Sequence, residues 1–260
     1  MSLRIVESLG PVSARSAARP GRRKYGVPPG GALDEISLAF ANALVGLASD
    51  SLGLEVFGRV TVEAEADLTV AAVGAFSTCG RWGLRAGGRA EFMVEPPGAC
   101  GYIAWSPGWG RSVKIERPEH VSQTTLRVVR GPQFSQAEFS LFCEGSYTVS
   151  RVLDRRGVRL EEPLALIHPE ITSEPSVVGA VQIPPGGSPI ILGPDGPTLG
   201  GYPKIAVIIR ADLPRLGQLC PGTKVYFERV SVDDARRLVR REWADLAGRL
   251  RLMKIGLDLG

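Results

Sequence analysis

Arg59-Val60-Thr61-Val62-Glu63-Ala64-Glu65 is the stretch that decides the fold class. Val60, Val62 and Ala64 alternate with Arg59, Thr61, Glu63 and Glu65, the period of two that sends successive side chains to opposite faces of a strand. One face suits a core and the other suits water. Outward from it, short runs rich in Val, Ile, Thr and aromatics recur at residues 68–73, 91–94, 102–105, 126–129, 190–192, 205–209 and 224–230, punctuated by 32 glycines and 20 prolines. Many short strands joined by tight turns read this way, so the pattern predicts a mostly β chain built from barrels or sandwiches.

Two segments switch to helical spacing. The first covers residues 35–47 behind Asp34, a good N-cap, with Ile36, Ala39, Phe40, Ala43 and Leu44 as its buried stripe. The second covers residues 232–252, where Ser231, Asp233 and Asp234 place a cap and negative charge at the positive end of the helix dipole. Its inward residues are Ala235, Leu238, Val239 and Leu246. The polar, Pro-containing stretch 117–125 predicts a boundary between two β-rich halves, residues 1–124 and 125–260.

With 260 residues, 44% hydrophobic and 22% charged, the chain can bury most of its apolar surface without staples. Its longest apolar runs, 68–75 and 205–209, fall far short of the roughly 20 residues that span a bilayer. The N-terminus runs into a strand-like segment with no secretory pattern, so a cytoplasmic, non-membrane protein is expected. Cys79, Cys100, Cys143 and Cys220 are too dispersed for a zinc or redox motif and read as free, mostly buried thiols. His120 and His168 sit in Pro-rich stretches and read as solvated loop residues, which leaves no metal centre to expect. Charges of both signs interleave to a net +4, so nucleic acid is not an expected partner. The exception is Arg236, Arg237, Arg240, Arg241, Arg249 and Arg251, which a solvated helix face explains equally well.

Residues 179–204 hold the richest chemistry. A strand, a turn and a second strand lead into Gly193-Pro194-Asp195-Gly196-Pro197-Thr198-Leu199-Gly200-Gly201-Tyr202-Pro203-Lys204. Gly200 and Gly201 can turn consecutive N–H groups towards one point, a nest for a carboxylate, phosphate or oxyanion; Tyr202 offers a flat wall and Lys204 a cation. The plain alternative is a hairpin turn. Upstream, Arg155 and Arg159 lie on alternate residues of a short strand after Asp154, able to fork onto an anion or to pair with Asp154 or Glu161. The candidate catalytic residues are therefore Asp154 or Asp195 as base, with Lys204. The candidate substrate contacts are Arg155, Arg159, Gln182, Thr198, Gly200, Gly201 and Tyr202. Gly30 and Gly31 ahead of the first helix could also bind an anion, although Asp34 opposes it.

Together these segments resemble the C subunit of ATP-dependent 5-oxoprolinase, also called allophanate hydrolase subunit 2, a family related to the carboxyltransferase part of urea carboxylase. The resemblance is carried by residues 26–34, Ala41-Asn42-Ala43-Leu44-Val45-Gly46, Leu54-Glu55-Val56, Arg130-Gly131-Pro132-Gln133, 154–160, 179–204, 211–219 and Pro221-Gly222. It implies cyclophilin-like β-barrel character and work in a hetero-oligomer with subunits A and B. It also implies hydrolysis of a small lactam with ATP consumed by the complex. No biotinylated lysine motif is present. Two segments depart from the family. Ser13-Ala14-Arg15-Ser16-Ala17-Ala18-Arg19 lacks the usual Gln-Asp pair, and Ser106-Pro107-Gly108-Trp109-Gly110-Arg111 replaces a Gly-Ser-Arg-Ser-Thr loop. These losses keep open a second reading, a regulatory or binding subunit without turnover, because some relatives are described as antagonists of a sporulation-kinase inhibitor.

Overall fold

The computed structural model describes residues 2–116, 122–165 and 169–258, with side chains to residue 253. His120, His168 and the first part of the boundary stretch lie outside the described residues. The chain forms two compact units. The first comprises Met1–Ala17, Asp34–His120 and Ala244–Gly260, and the second comprises Ala18–Leu33 and Val121–Trp243.

In the first unit the elements are β1 (Leu3–Leu9), β2 (Val12–Arg15), α1 (Glu35–Leu44), β3 (Gly53–Val56), β4 (Arg59–Ala64), β5 (Leu68–Gly74), β6 (Cys79–Leu84), β7 (Arg89–Met93), β8 (Gly101–Pro107) and β9 (Val113–Ile115). They make a three-stranded sheet, β1-β4-β7, and a six-stranded sheet, β2-β3-β8-β5-β6-β9. The alternation in β4 is realised: Val60, Val62 and Ala64 are fully buried in one core with Leu54, Val56, Leu68, Val70, Ala72 and Phe92. Its polar face carries a charge ladder across the strands, with Glu63 between Arg4 and Arg89, and Arg59 between Glu7 and Glu91. Every residue of β5 is buried, because one face meets this core and α1 covers the other. That is why β5 reads as a continuous apolar run. Asp34 caps α1 by accepting from the Ile36 and Ser37 N–H groups. The expected stripe is only partly right: Ala39, Ala43 and Leu44 are buried as expected and Ile36 and Phe40 are half-buried, while Leu38, Ala41 and Asn42, outside the stripe, are buried too. A helix held on nearly all sides does not show its deepest face as an amphipathic stripe.

The second unit adds β10 (Gln123–Arg130), α2 (Gln136–Glu144), β11 (Ser146–Asp154), β12 (Gly157–Leu160), β13 (Glu174–Pro175), β14 (Ala180–Gln182), β15 (Ile190–Leu192), β16 (Leu199–Gly200), β17 (Lys204–Ile208) and β18 (Lys224–Arg229). Seven of these strands close a barrel in the order β10-β17-β14-β15-β12-β11-β18. The seam is the parallel pairing of β10 with β18. Inward residues such as Leu126, Val149, Leu160, Val181, Ile191, Ile205, Val225 and Phe227 form its core. Phe139 and Phe142 of α2 enter the same core, Phe142 lying 4.4 Å from Phe227 between ring centroids. This third helix was not anticipated. β13 and β16 form a separate two-stranded ribbon.

A 3-10 segment, Arg210–Gln218, is tied to β10 by Asp212, which is fully buried and accepts from the Arg127 backbone N–H at 2.7 Å and from its Nε at 3.0 Å. After β18, α3 (Val232–Asp258) starts at Ser231, whose Oγ accepts from the Asp234 N–H at 3.0 Å. Leu246 is buried on it, and Ala235, Leu238 and Val239 are half-buried, matching the predicted face. No helix among the described residues is long and apolar enough to cross a membrane.

Candidate functional site

A bulge in the barrel wall creates the site. β14 and β17 pair Val181 with Ala206 and then Gln182 with Lys204, so one step on β14 spans two on β17. Ile205 and Ala206 both reach the core as a result. Lys204 is thrown onto the outer face beside Gln182. Both side chains are nonetheless buried, at 4% and 3% exposure, because the ribbon β13·β16 covers them. Gly131 lets this happen: a Cβ there would lie 2.0 Å from the Lys204 carbonyl oxygen, and its own N–H donates to the Ile205 carbonyl.

Glu174 of β13 reaches down to Lys204. Its Oε1 accepts from Lys204 Nζ at 2.5 Å and from Gln133 Nε2 at 2.7 Å, while Gln133 Oε1 accepts from the Lys204 N–H. The Lys204 hydrogen bond, helped by Gln133, holds the Glu174 carboxyl below the usual range. Directly opposite Glu174 in the ribbon is Gly200. A Cβ on Gly200 would meet Gln182 Nε2 at 3.0 Å and Ser176 Oγ at 3.3 Å. Those two atoms are buried and take no hydrogen-bond partner among the described residues. A buried donor left unmade costs about 1–3 kcal/mol. Two such groups converging on one glycine form a cradle that a ligand oxygen would satisfy.

The remaining predicted residues divide. Arg155 forks onto Asp195, Nε to Oδ2 at 2.7 Å and Nη2 to Oδ1 at 3.1 Å, and donates to the Gly31 carbonyl at 2.6 Å. The Gly30 N–H donates to the Pro194 carbonyl, so that loop serves packing within the unit. Asp154 caps the β11–β12 turn through the Arg156 and Gly157 N–H groups and pairs with the Arg156 side chain. Burial pushes its carboxyl up, but these hydrogen bonds outweigh it and hold it below the usual range. Arg159 is exposed; it lies in register with Ile190, and Ile190 with Gln182, which puts it about 10 Å from Gln182 across two strand spacings. The Thr198 carbonyl accepts from the Ser176 N–H, and Tyr202 is half-buried. The nest expected at Gly200 and Gly201 is not formed. Neither has positive φ: Gly200 belongs to the extended strand β16, and just beyond it the Gly201 carbonyl accepts from the Ile171 N–H. Sequence reading missed Ser176, Glu174 and Gln133, whose meeting depends on pairings between distant segments.

Residues 25–95 and 84–229 match the family described as carboxyltransferase domain, subdomain A and B. The 5-oxoprolinase C subunit of Haemophilus influenzae is 28% identical, the match covering 86% of this chain and 89% of that protein. The 5-oxoprolinase C subunit of Escherichia coli K12 is 28% identical, covering 95% of this chain and 98% of that one. Among solved structures, TTHA0988 superposes with a TM-score of 0.79 at 27% identity over 87% of this chain, which spans only 55% of the TTHA0988 chain. The urea amidolyase of Kluyveromyces lactis superposes with a TM-score of 0.82 at 21% identity over 94% of this chain and 20% of that one, a likeness of fold.

Proposed function

Because the chain belongs to the carboxyltransferase domain family, subdomain A and B, we propose that it serves as the C-type component of a 5-oxoprolinase-type complex, hydrolysing a small lactam together with subunits A and B. The observation that carries the reading is the buried cradle: Gln182 Nε2 and Ser176 Oγ, both unpartnered among the described residues, converge on the Cα of Gly200, where only a glycine leaves them uncrowded. Their geometry suits a lactam carbonyl oxygen. Donors fixed in a dry site before reaction stabilise the negative charge that grows on that oxygen during attack. Lys204 adds positive potential without binding the oxygen outright, since Glu174 already neutralises it. Both bonds to Glu174 fall on Oε1, leaving Oε2 to orient an attacking water. Two neutral donors and one neutralised ammonium do not fit a triphosphate. ATP is accordingly assigned to the assembled complex and no step here runs through it, nor is biotin assigned to this chain.

The test is reconstitution with subunits A and B and measurement of lactam-dependent ATP hydrolysis. Gln182→Leu removes one donor and should lower turnover about a hundredfold. Thermal stability should hold or rise, because an unsatisfied buried group disappears. A variant that melts early, or one that turns over normally, counts against the cradle. The regulatory reading is favoured by the loop at Ser106–Arg111. There Trp109 packs on Gly83 and under the Arg85 guanidinium, 4.2 Å from its ring, in place of a loop of small polar residues. A complex that assembles, judged by light scattering, yet hydrolyses no ATP with 5-oxoproline would make that reading the correct one.

A further inference from the structure

Beside the cradle stands a cation that no motif singled out. Arg23, in the 3-10 turn Arg23–Tyr25, donates from Nη2 to the Ser176 carbonyl and, at 3.3 Å, to the Pro197 carbonyl. Both acceptors are neutral. Its Nε and Nη1 hydrogens take no partner, and no carboxylate pairs with it, among the described residues. Burial alone pushes its pKa down, with no acidic neighbour to raise it. A partly desolvated guanidinium normally recovers the lost hydration from a carboxylate or phosphate. Here that counter-charge is absent from the described residues.

Ser176 connects the two unmet demands. Its carbonyl holds Arg23, while its hydroxyl is one of the two open groups at Gly200. A single residue therefore links the guanidinium to the cradle that a ligand carbonyl oxygen would enter. Arg22 and Lys24 flank Arg23 in the sequence, and Arg22 and Lys24 are both exposed, which raises the local positive potential and draws anions in. We propose that Arg23 is the specificity-determining residue of the cradle, binding the carboxylate of a lactam whose carbonyl oxygen is held by Gln182 and Ser176. One guanidinium balances one carboxylate, so the preferred substrate is a monoanionic lactam rather than a neutral one. This deepens the reading above and rests on it for the identity of the ring.

Titration calorimetry on the purified chain separates the possibilities, with three probes: 5-oxoproline, 2-pyrrolidinone (the same ring without its carboxylate) and acetate. Arg23→Gln keeps donors for the Ser176 and Pro197 carbonyls while removing the charge, and Arg23→Lys keeps the charge. The Gln variant should weaken 5-oxoproline about tenfold to a hundredfold, the loss expected for a hydrogen bond to a charged group. The Lys variant should weaken it less, and neither should change 2-pyrrolidinone. Equal losses for both rings would mean that Arg23 merely clamps the ribbon, and an unchanged 5-oxoproline affinity in Arg23→Gln would mean it has no role; either overturns the proposal. So does failure of all three probes to bind. If both rings bind through Gln182 without regard to Arg23, the lactam function survives and this inference falls. If neither ring binds but acetate does so through Arg23, the anion subsite stands and the lactam function falls.

Discussion

Gln182 and Gly200 face each other across the cradle, and the two make opposite errors when changed. Gly200→Ala adds a methyl group 3.0 Å from Gln182 Nε2 and 3.3 Å from Ser176 Oγ, filling the space where the ligand oxygen would sit. The variant should fold with a melting temperature within a few degrees of the parent, yet lose 5-oxoproline binding in calorimetry. Lys204→Ala deletes a buried ammonium and leaves Glu174 with Gln133 alone. Turnover should fall while the barrel stays folded, which circular dichroism beside the ATPase assay would establish. Gln182, Gly200 and Lys204 were legible because they fall in one short run. Ser176 and Arg23 were not, since a serine and an arginine among ordinary loop residues acquire meaning only when a ribbon and a distant turn bring them together. Cys143 is a bystander by the same physical logic: burial pushes its thiol up to about 11. Alkylation at neutral pH should be slow and should leave activity intact.

Among the elements, the ribbon β13·β16 is held to the barrel in part by a titrating group, Glu174. The Lys204 hydrogen bond keeps the Glu174 carboxyl below its ordinary 4.5. A depressed carboxyl contributes stability that is fully present above the ordinary value and is lost as pH falls through the depressed one. The ribbon should therefore loosen only in acid, seen as shifts of the Ser176 and Gly201 amide resonances on titration below pH 4.5. Glu174→Gln should flatten that titration. Element identity was easier to read than element cover. β4 declared itself by strict alternation and β5 by an unbroken apolar run. α2 escaped notice because it brings only Phe139 and Phe142 to the core, too few for a periodic signal, although Ser135 and Glu138 spelled a capping box that the structure completes. The bulge in β17 was unreadable in principle, because consecutive inward residues look like any buried strand.

For the molecule as a whole, neither unit is a continuous stretch of chain: Ala18–Leu33 belongs with Val121–Trp243, and α3 starts in one unit and finishes in the other. Most of the barrel strands could be read from residue 126 onward, β11 excepted, whereas the membership of Ala18–Leu33 could not, since nothing local in that Gly- and Pro-rich segment names its partner. A fragment beginning at Val121 lacks the Gly31 carbonyl that Arg155 binds, the Gly30 N–H that Pro194 accepts, and Arg23. It should unfold at lower urea than the same unit in the full chain, and a synthetic peptide of residues 18–33 added in trans should restore part of the difference. The same threading sets a schedule on the ribosome. Residues 18–33 leave the exit tunnel before the rest of their unit, and all of Asp34–His120 must be made before the strands they serve exist. Through that interval an arginine-rich segment waits without its acceptors, so codon-dependent pauses within 34–120 would lengthen its exposure to cellular proteases and polyanions, a cost that the finished fold conceals.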